Sequence, residues 1–316
     1  MAPIDEKTLR EMVLAHRPDI GELTFRPIKT GKFNDSWFAR GPDQEMVLRV
    51  APSPDCVFVF YERDMMRQEP PLHALLRENT SAPVPRIIAY DDSHAVIGRD
   101  YLLMERLPGR PLTEVNAPDS SRVLRQVGAY LREAHEITAK QYGYLGPHHP
   151  MTPQSSWAEA FSIMWNRLID DVVDVGHYTQ SESAALRDAL DIRMDVFERD
   201  VTSRLLHMDV WAQNILVDDS SGVTGLVDWD RALWGDPEIE YAVLDYCGIS
   251  EPPFWEGYGR SRDTSAPAQT RRVFYLLYEL QKYIVIRAGR NDDPSGARRY
   301  KGQVLEMARN QLNCRL

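Results

Sequence analysis

Residues 207–230 read HMDVWAQNILVDDSSGVTGLVDWD. Two short β-type runs, ILVDD and VTGLVDW, flank a polar turn at Ser220-Ser221-Gly222, which is the pattern of a hairpin. With the turn centred on Ser221, Asn214 and Asp228 are equidistant from it, and cross-strand neighbours lie about 5 Å apart. The hairpin is therefore expected to bring Asn214 beside Asp228 at its open end. Asp209, five residues before Asn214, is within reach of the same end. A carboxylate and an amide oxygen, with no His or Cys at ligand spacing, suit Mg²⁺ and its phosphate ligands better than zinc. A third acid beside them is placed to take a proton from an attacking hydroxyl. Each residue alone fits a solvated acidic turn; the spaced set does not.

Composition sets the limits around this segment. The chain has 316 residues, 37 Lys and Arg against 47 Asp and Glu, a formal charge of −10 and 43 % hydrophobic residues. That is enough apolar material for one large domain or two smaller ones. Net acidity argues against a nucleic-acid partner, because phosphate backbones demand a basic face. Cys56, Cys247 and Cys314 are scattered with no CxxC pair, which fits reduced thiols and excludes a disulfide scaffold or a Cys-based zinc site. The charged, helix-patterned start MAPIDEKTLREMVLAH does not read as a signal peptide, and apolar runs such as VFYLLY (273–278) are too short to span a membrane. A soluble cytoplasmic protein with no membrane partner is expected.

From Gly21 to Leu103 the text is strand-like. LTFRPIKTGKFNDSWFAR alternates and breaks at Gly31, MVLRVAP (46–52) is a compact apolar strand, and PRIIAYDD and AVIGRDYLLMER look like two more. One helix interrupts them, ERDMMRQEPPLHALLREN (62–79), disturbed by Pro70-Pro71. After LPGRPL (107–112) the periodicity becomes helical: Val123, Val127, Leu131 and His135, then Trp157, Phe161, Trp165 and Leu168. The spacing predicts a β-rich lobe at 1–103, a connector at 104–109 and a mainly helical lobe at 110–316. Residues 1–103 carry 13 basic and 16 acidic residues and the remainder 24 and 31, so the larger lobe holds most of the excess acid.

The segment 207–230 resembles the HxDxxxxN loop and following metal-binding Asp of the aminoglycoside phosphotransferase family, small-molecule kinases with a protein-kinase-like fold. The resemblance runs from the strand at Leu23 to the helix ending near Arg287. It implies an α+β two-lobe architecture, a small N-terminal antiparallel sheet with one main helix above a larger helical lobe. It implies that Asp209 positions and deprotonates the acceptor hydroxyl, that Asn214 and Asp228 hold Mg²⁺ against ATP or GTP, and that His207 orients the loop. Asp230 matches a second acid of the family's DxD pattern, structural or supporting in role. T-G-K-F-N-D-S (30–36) is similar to the family's phosphate-covering loop, which assigns Gly31, Asn34 and Ser36 to the nucleotide. Arg49, in the middle of an apolar strand, needs an anion; Glu69 is the partner in register, with Glu62 the other possibility. YLLMERLPG (101–109) resembles the hinge on which a purine sits, with Met104 behind the base and Glu105 and Leu107 offering backbone groups to it.

Two departures from the family pattern, at Met208 and Glu240, and two differences from protein kinases that favour a small-molecule kinase stand out. Met208 occupies the usual Gly position, Trp229 follows the metal Asp where protein kinases have Phe-Gly, and no Ala-Pro-Glu motif follows. ALWGDPEIEYAVLDY is like the family's GDP-xx-D-LA stretch with Glu240 in the Asp place, and Asp236 before Pro237 reads as a helix cap. The expectation is an O-phosphotransferase acting on a small molecule. The acidic balance suggests a cationic acceptor such as an aminoglycoside or peptide antibiotic, with Asp170, Asp174, Trp234 and Glu238 as candidate contacts. A choline-, fructosamine- or homoserine-like metabolite kinase and a catalytically silent nucleotide-binding module are the alternatives. Monomer and homodimer are equally open.

Overall fold

A computed structural model describes residues 4–30 and 33–314. The leading helix α1 (Glu6–Leu14) is capped by Asp5, whose carboxylate accepts from Thr8 N at 2.7 Å. It precedes β1 (Thr24–Pro27), β2 (Asp35–Arg40) and β3 (Glu45–Val50). Next come α2 (Glu69–Asn79), β4 (Ile87–Asp91) and β5 (Tyr101–Glu105). The five strands form one antiparallel sheet in the order β1-β2-β3-β5-β4. Leu9, Met12 and Val13 of α1 pack on one side of it against Ala39, Leu48 and Leu103. Met66 lies on the other side with Leu102 and Met104.

The second half is built on helices. They are α3 (Ser120–Ala134), α4 (Trp157–Asp174), α5 (Gln180–Asp191), α6 (Pro237–Tyr246), α7 (Pro252–Tyr258), α8 (Ala266–Val285) and α9 (Pro294–Leu312). Two small antiparallel sheets sit among them. One joins β6 (Arg110–Pro111) to the hairpin β9 (Ile215–Val217) and β10 (Val223–Leu226); the other joins β7 (Thr138–Ala139), β8 (Ser203–Leu206) and β11 (Leu233–Gly235). The apolar residues at helical spacing in α3 and α4 are buried, as their period requires. Among the described residues no helix is long and apolar enough to cross a membrane.

Two expectations are corrected. The Pro70-Pro71 pair does not disturb a helix; it starts one. Residues 65–68 form a single 3₁₀ turn, and α2 begins at Glu69 with both prolines in its first turn, where a missing N–H has no intrahelical partner to lose. The run AVIGRDYLLMER is extended only from Tyr101; residues 95–99 are bends.

The segment after β3 crosses to the helical half. Val59 and Tyr61 join its main core, Tyr61 stacks on Tyr144 at 4.7 Å, and Phe60 N donates to Asp171 Oδ2 at 2.8 Å. Burial raises the Asp171 carboxyl to about 7, against the opposing hydrogen bond from Phe60. A carboxyl that binds its proton more tightly when folded stabilises the fold at low pH, and that contribution is lost as pH rises through about 7. Wild-type protein is therefore expected to lose several degrees of Tm between pH 5 and 8. Asp171→Asn keeps an acceptor for Phe60 and should flatten that slope. Parallel Tm–pH curves for the two proteins would show that Asp171 is not the titrating group.

Candidate active site

The hairpin forms, but with one irregularity. Val223 faces Val217, whereas Gly225 faces Leu216 and Leu226 faces Ile215, so β10 bulges at Thr224. Thr224 Oγ1 donates to the Pro108 carbonyl at 2.7 Å. Gly109 adopts φ +92°, and a Cβ there would stand 2.7 Å from the Val217 carbonyl, so the connector between the lobes presses directly on the hairpin. Val217 facing Val223 centres the turn on Ser220, one residue earlier than expected, which alone would set Leu226 opposite Asn214, and the bulge advances the register by one. Val227, not Asp228, is the residue opposite Asn214, its N–H donating to Asn214 O at 3.0 Å. Asp228 comes one residue later, at φ +71°, and leaves the strand. Asn214 and Asp228 still line the same cleft.

Asp209 is held by Asn214, whose Nδ2 donates to both its carbonyl and its Oδ2 at 2.9 Å. Both amide hydrogens are thereby occupied, and the amide oxygen is the end left for a cation. The loop carrying Asp209 is fixed from behind. The His207 ring donates through Nε2 to Val227 O (3.0 Å), accepts from Asp209 N (3.3 Å), and lies 4.2 Å from the buried Trp229 ring. Met208 takes φ +66°, a conformation that a non-glycine residue adopts at a cost of about 1 kcal/mol or more. Its fully buried side chain, its N–H to Glu240 Oε1 (2.7 Å) and its carbonyl bonded to Arg231 (2.7 Å) hold it there. Glu240 also binds His135 at 2.6 Å. Asp236 caps α6 through Glu238 N at 3.1 Å.

Across the cleft, Arg49 of β3 is the hub. It meets Glu69 at 2.7 Å, Asp228 at 2.7 Å and Asp230 at 3.1 Å. Glu62 is committed elsewhere, to Arg290 at 3.0 Å and Val59 N at 2.8 Å. Asn34 Nδ2 reaches Asp230 at 3.2 Å, and Gln68 donates to the Asp230 carbonyl. One guanidinium therefore faces three carboxylates, and the cluster is largely buried. Burial would lower the Arg49 pKa, but Glu69, Asp228 and Asp230 together drive it upward. Burial and the neighbouring Asp228 raise Asp230, and burial raises Glu69 to about 7 against the pull of Arg49. This surplus of negative charge calls for a cation. Among the described residues no group of three or more His, Cys, Asp or Glu side chains forms a closed metal cage. An amide oxygen and a partly exposed carboxylate are instead the open donor set that suits Mg²⁺, which keeps waters and phosphate oxygens as its other ligands.

The cleft has a volume of about 600 Å³. Asn34, Ser36, Arg49, Met104, Glu105 and Leu107 line it from the sheet side and the connector, and Asp209, Asn214, Asp228 and Asp230 from the hairpin side. Glu69 stands behind Arg49, fully buried. Gly31 lies outside the described residues. Asp170, Asp174, Trp234 and Glu238 do not line the cleft. Asp170 is an exposed partner of Arg187 at 2.6 Å, and Asp174 is exposed at the end of α4. Trp234 packs on the core beneath α3, and Glu238 binds Arg271 at 2.8 Å. The wall beyond Asp209 comes instead from Tyr246, Lys282, Tyr283, Ile286, Arg287 and Arg290, residues the sequence reading did not single out. The usable signal was a set of cations, Lys282, Arg287 and Arg290, recurring along the apolar text at the end of α8 and just beyond it.

A family model described as the phosphotransferase enzyme family matches residues 24–273. The chain belongs to this family. Among relatives of phosphotransferase sequence, viomycin phosphotransferase of Streptomyces vinaceus is 27 % identical over 150 residues, 46 % of this chain and 49 % of its own. Mouse acyl-CoA dehydrogenase family member 10 is 21 % identical over 294 residues, 86 % of this chain and 25 % of its own. The chain thus spans half or less of these relatives. The fold is that of family structures. A fructosamine-3-kinase homologue from Thermobifida fusca YX-ER1 superposes with TM-score 0.69 at 19 % identity, covering 99 % of this chain and 100 % of the other. A thermostable aminoglycoside phosphotransferase mutant in complex with AMP-PNP and hygromycin B gives 0.66 at 18 %, covering 96 % and 100 %.

Proposed function

We propose that this chain transfers the γ-phosphate of ATP to a hydroxyl of a small molecule, with Mg²⁺ held by Asn214 and Asp228. The observation that carries the reading is one cleft holding a proton acceptor, an amide oxygen and a carboxylate on one wall and a buried guanidinium on the other. Family membership and the AMP-PNP complex of a structural neighbour support it. Asp209 accepts the proton of the acceptor hydroxyl. Arg49 directs positive charge at the nucleotide phosphates, with Glu69 fixing its side chain. Asn34 and Ser36 lie at the phosphate end, and Met104, Glu105 and Leu107 at the base end. Mg²⁺, when bound, neutralises charge on the phosphates. Catalysis then comes mainly from positioning and electrostatics.

A silent nucleotide-binding module is disfavoured because no member of the set is missing. The cationic acceptor suggested by composition finds little to bind in the cleft: Glu62, Glu105 and Asp230 accept from protein donors, Asp228 is assigned to Mg²⁺ and Asp209 to the acceptor hydroxyl.

The test is calorimetric titration with Mg·ATP and Mg·GTP, followed by mass spectrometry of a hydroxyl-compound library after incubation with nucleotide. Mg·ATP binding and a gain of one phosphate on a library compound are expected. Asp228→Ala should abolish the Mg²⁺-dependent part of binding and lower turnover at least ~10²-fold. Near-wild-type turnover in that variant rejects the assignment, and preference for GTP would replace ATP.

A further inference from the structure

Beyond Asp209 the cleft follows one face of α8 and its π-helical continuation, Ile286–Arg290. Single π turns occur frequently at functional sites because they re-aim side chains. The face carries Lys282, Tyr283, Ile286, Arg287 and Arg290, with Tyr246 of α6 also on the cleft. Lys282 begins it, its Nζ 3.8 Å from Asp209 Oδ1 and 2.6 Å from Glu279.

The countercharges on this wall are unevenly distributed. Arg290 is matched: both of its terminal nitrogens bind Glu62, at 3.1 and 3.0 Å. Arg231 and Lys282 share Glu279, at 2.8 and 2.6 Å. Arg287 is not matched to the same degree. Among the described residues its single ion pair is a 3.4 Å contact to Asp293, whose other oxygen is engaged at the start of α9 by Gly296 N and Ser295 Oγ. Among the described residues its Nε is buried without a hydrogen-bond partner, as is that of Arg290, but a third of the Arg287 side chain is exposed against 11 % for Arg290. Among the described residues lining this half of the cleft, Asp209 and Glu62 are the carboxylates, and Glu62 is already bound by Arg290.

We propose that the acceptor carries an anionic group, a carboxylate or a phosphate ester, which sits on Arg287 while its hydroxyl faces Asp209. This rests on the phosphotransferase reading and names its substrate class. The rise of about 1.5 Å per residue puts Arg287 roughly 7 Å beyond Lys282 along the helix. Hydroxyl and anion are then separated by a short chain of several carbons, which Tyr283 and Ile286 can cover. In the transfer the acceptor oxygen bonds to the γ-phosphorus, the bridging P–O bond breaks with its electrons to ADP, and the hydroxyl proton goes to Asp209.

Three compounds of matched length test the charge: 6-hydroxyhexanoate, its methyl ester and 6-aminohexan-1-ol. Glucose 6-phosphate and glucose form the phosphate arm. ADP release is measured with each, alongside Mg·ATP affinity, for wild type, Arg287→Gln and Arg287→Lys. The anionic member of a series is expected to show kcat/KM at least tenfold above its neutral and cationic analogues. Carboxylate and phosphate sources are separated by which series shows it. Arg287→Gln should raise KM for the anion at least tenfold with kcat and Mg·ATP affinity within threefold, and Arg287→Lys should restore part of it. A preference for the amine, equal use within both series, or no change of KM in Arg287→Gln overturns the proposal while intact Mg·ATP binding leaves the kinase reading standing. Loss of Mg·ATP binding by the wild type removes both.

Discussion

Asp209→Asn is expected to lower turnover by on the order of 10²–10⁴-fold, the range for removing a positioned general base, while Mg·ATP binds within a few-fold of wild type. The separation follows from the geometry. The side chain that changes is held by Asn214 at one oxygen and approached by Lys282 at the other, and it forms no hydrogen bond or ion pair with Arg49 or Glu69. The backbone of the loop is fixed independently, by His207 at Asp209 N and by Glu240 at Met208 N. An amide of equal size therefore preserves the shape and removes the proton acceptor. Single-turnover phosphate transfer and nucleotide titration on the same preparation test this. Transfer within tenfold of wild type would mean that another group takes the proton. Loss of nucleotide binding in parallel would mean that Asp209 supports the metal site instead.

The parts of the site that were legible in the sequence are those fixed over short distances. Asp209, Asn214 and Asp228 lie within one hairpin, whose turn chemistry is local, so their approach to one cleft could be anticipated. The register could not, because the turn centres on Ser220 and not Ser221, and the bulge at Thr224 that recovers one residue of that shift answers to Pro108 and Gly109, more than a hundred residues away. The same distinction explains the acceptor residues. Asp170 and Glu238 look like free acids in the sequence, but Arg187 and Arg271, 17 and 33 residues further on, claim them. Arg49 stood out as a charge in an apolar strand, yet the choice between Glu69 and Glu62 depended on Arg290 at the far end of the chain. The two-lobe division is visible as a change of hydrophobic period. What the period does not reveal is that residues 59–61 pack into the helical half. Met208 is the reverse case: its identity argues against a positive φ, and only the buried contacts of its side chain and peptide account for it.

Arg49→Met should produce the largest loss of stability, about 3–5 kcal/mol, the cost of removing one member of a buried charge cluster. At this chain length that corresponds to roughly 10 °C in Tm. Methionine fills much of the same space, so the effect isolates the charge. Glu69 is fully inaccessible and Asp230 nearly so, and both lose their counter-ion at once, whereas Asp228 is about a third exposed and can turn to water. The pH dependence identifies the cause. Even beside Arg49 the Glu69 carboxyl is raised to about 7; without the guanidinium the buried carboxyls hold their protons more tightly still, so the variant is destabilised further than wild type as pH rises above about 7. The difference in Tm from wild type should therefore shrink towards pH 5 and widen towards pH 8. Adding Glu69→Leu to Arg49→Met removes one stranded carboxylate and should recover a large part of the loss, well outside additivity. It should not recover nucleotide affinity, which Arg49 supports through the phosphates and which is expected to fall at least tenfold in both variants. A pH-independent deficit, or a double variant less stable than Arg49→Met alone, would show that the arginine contributes by packing and not by balancing the three acids.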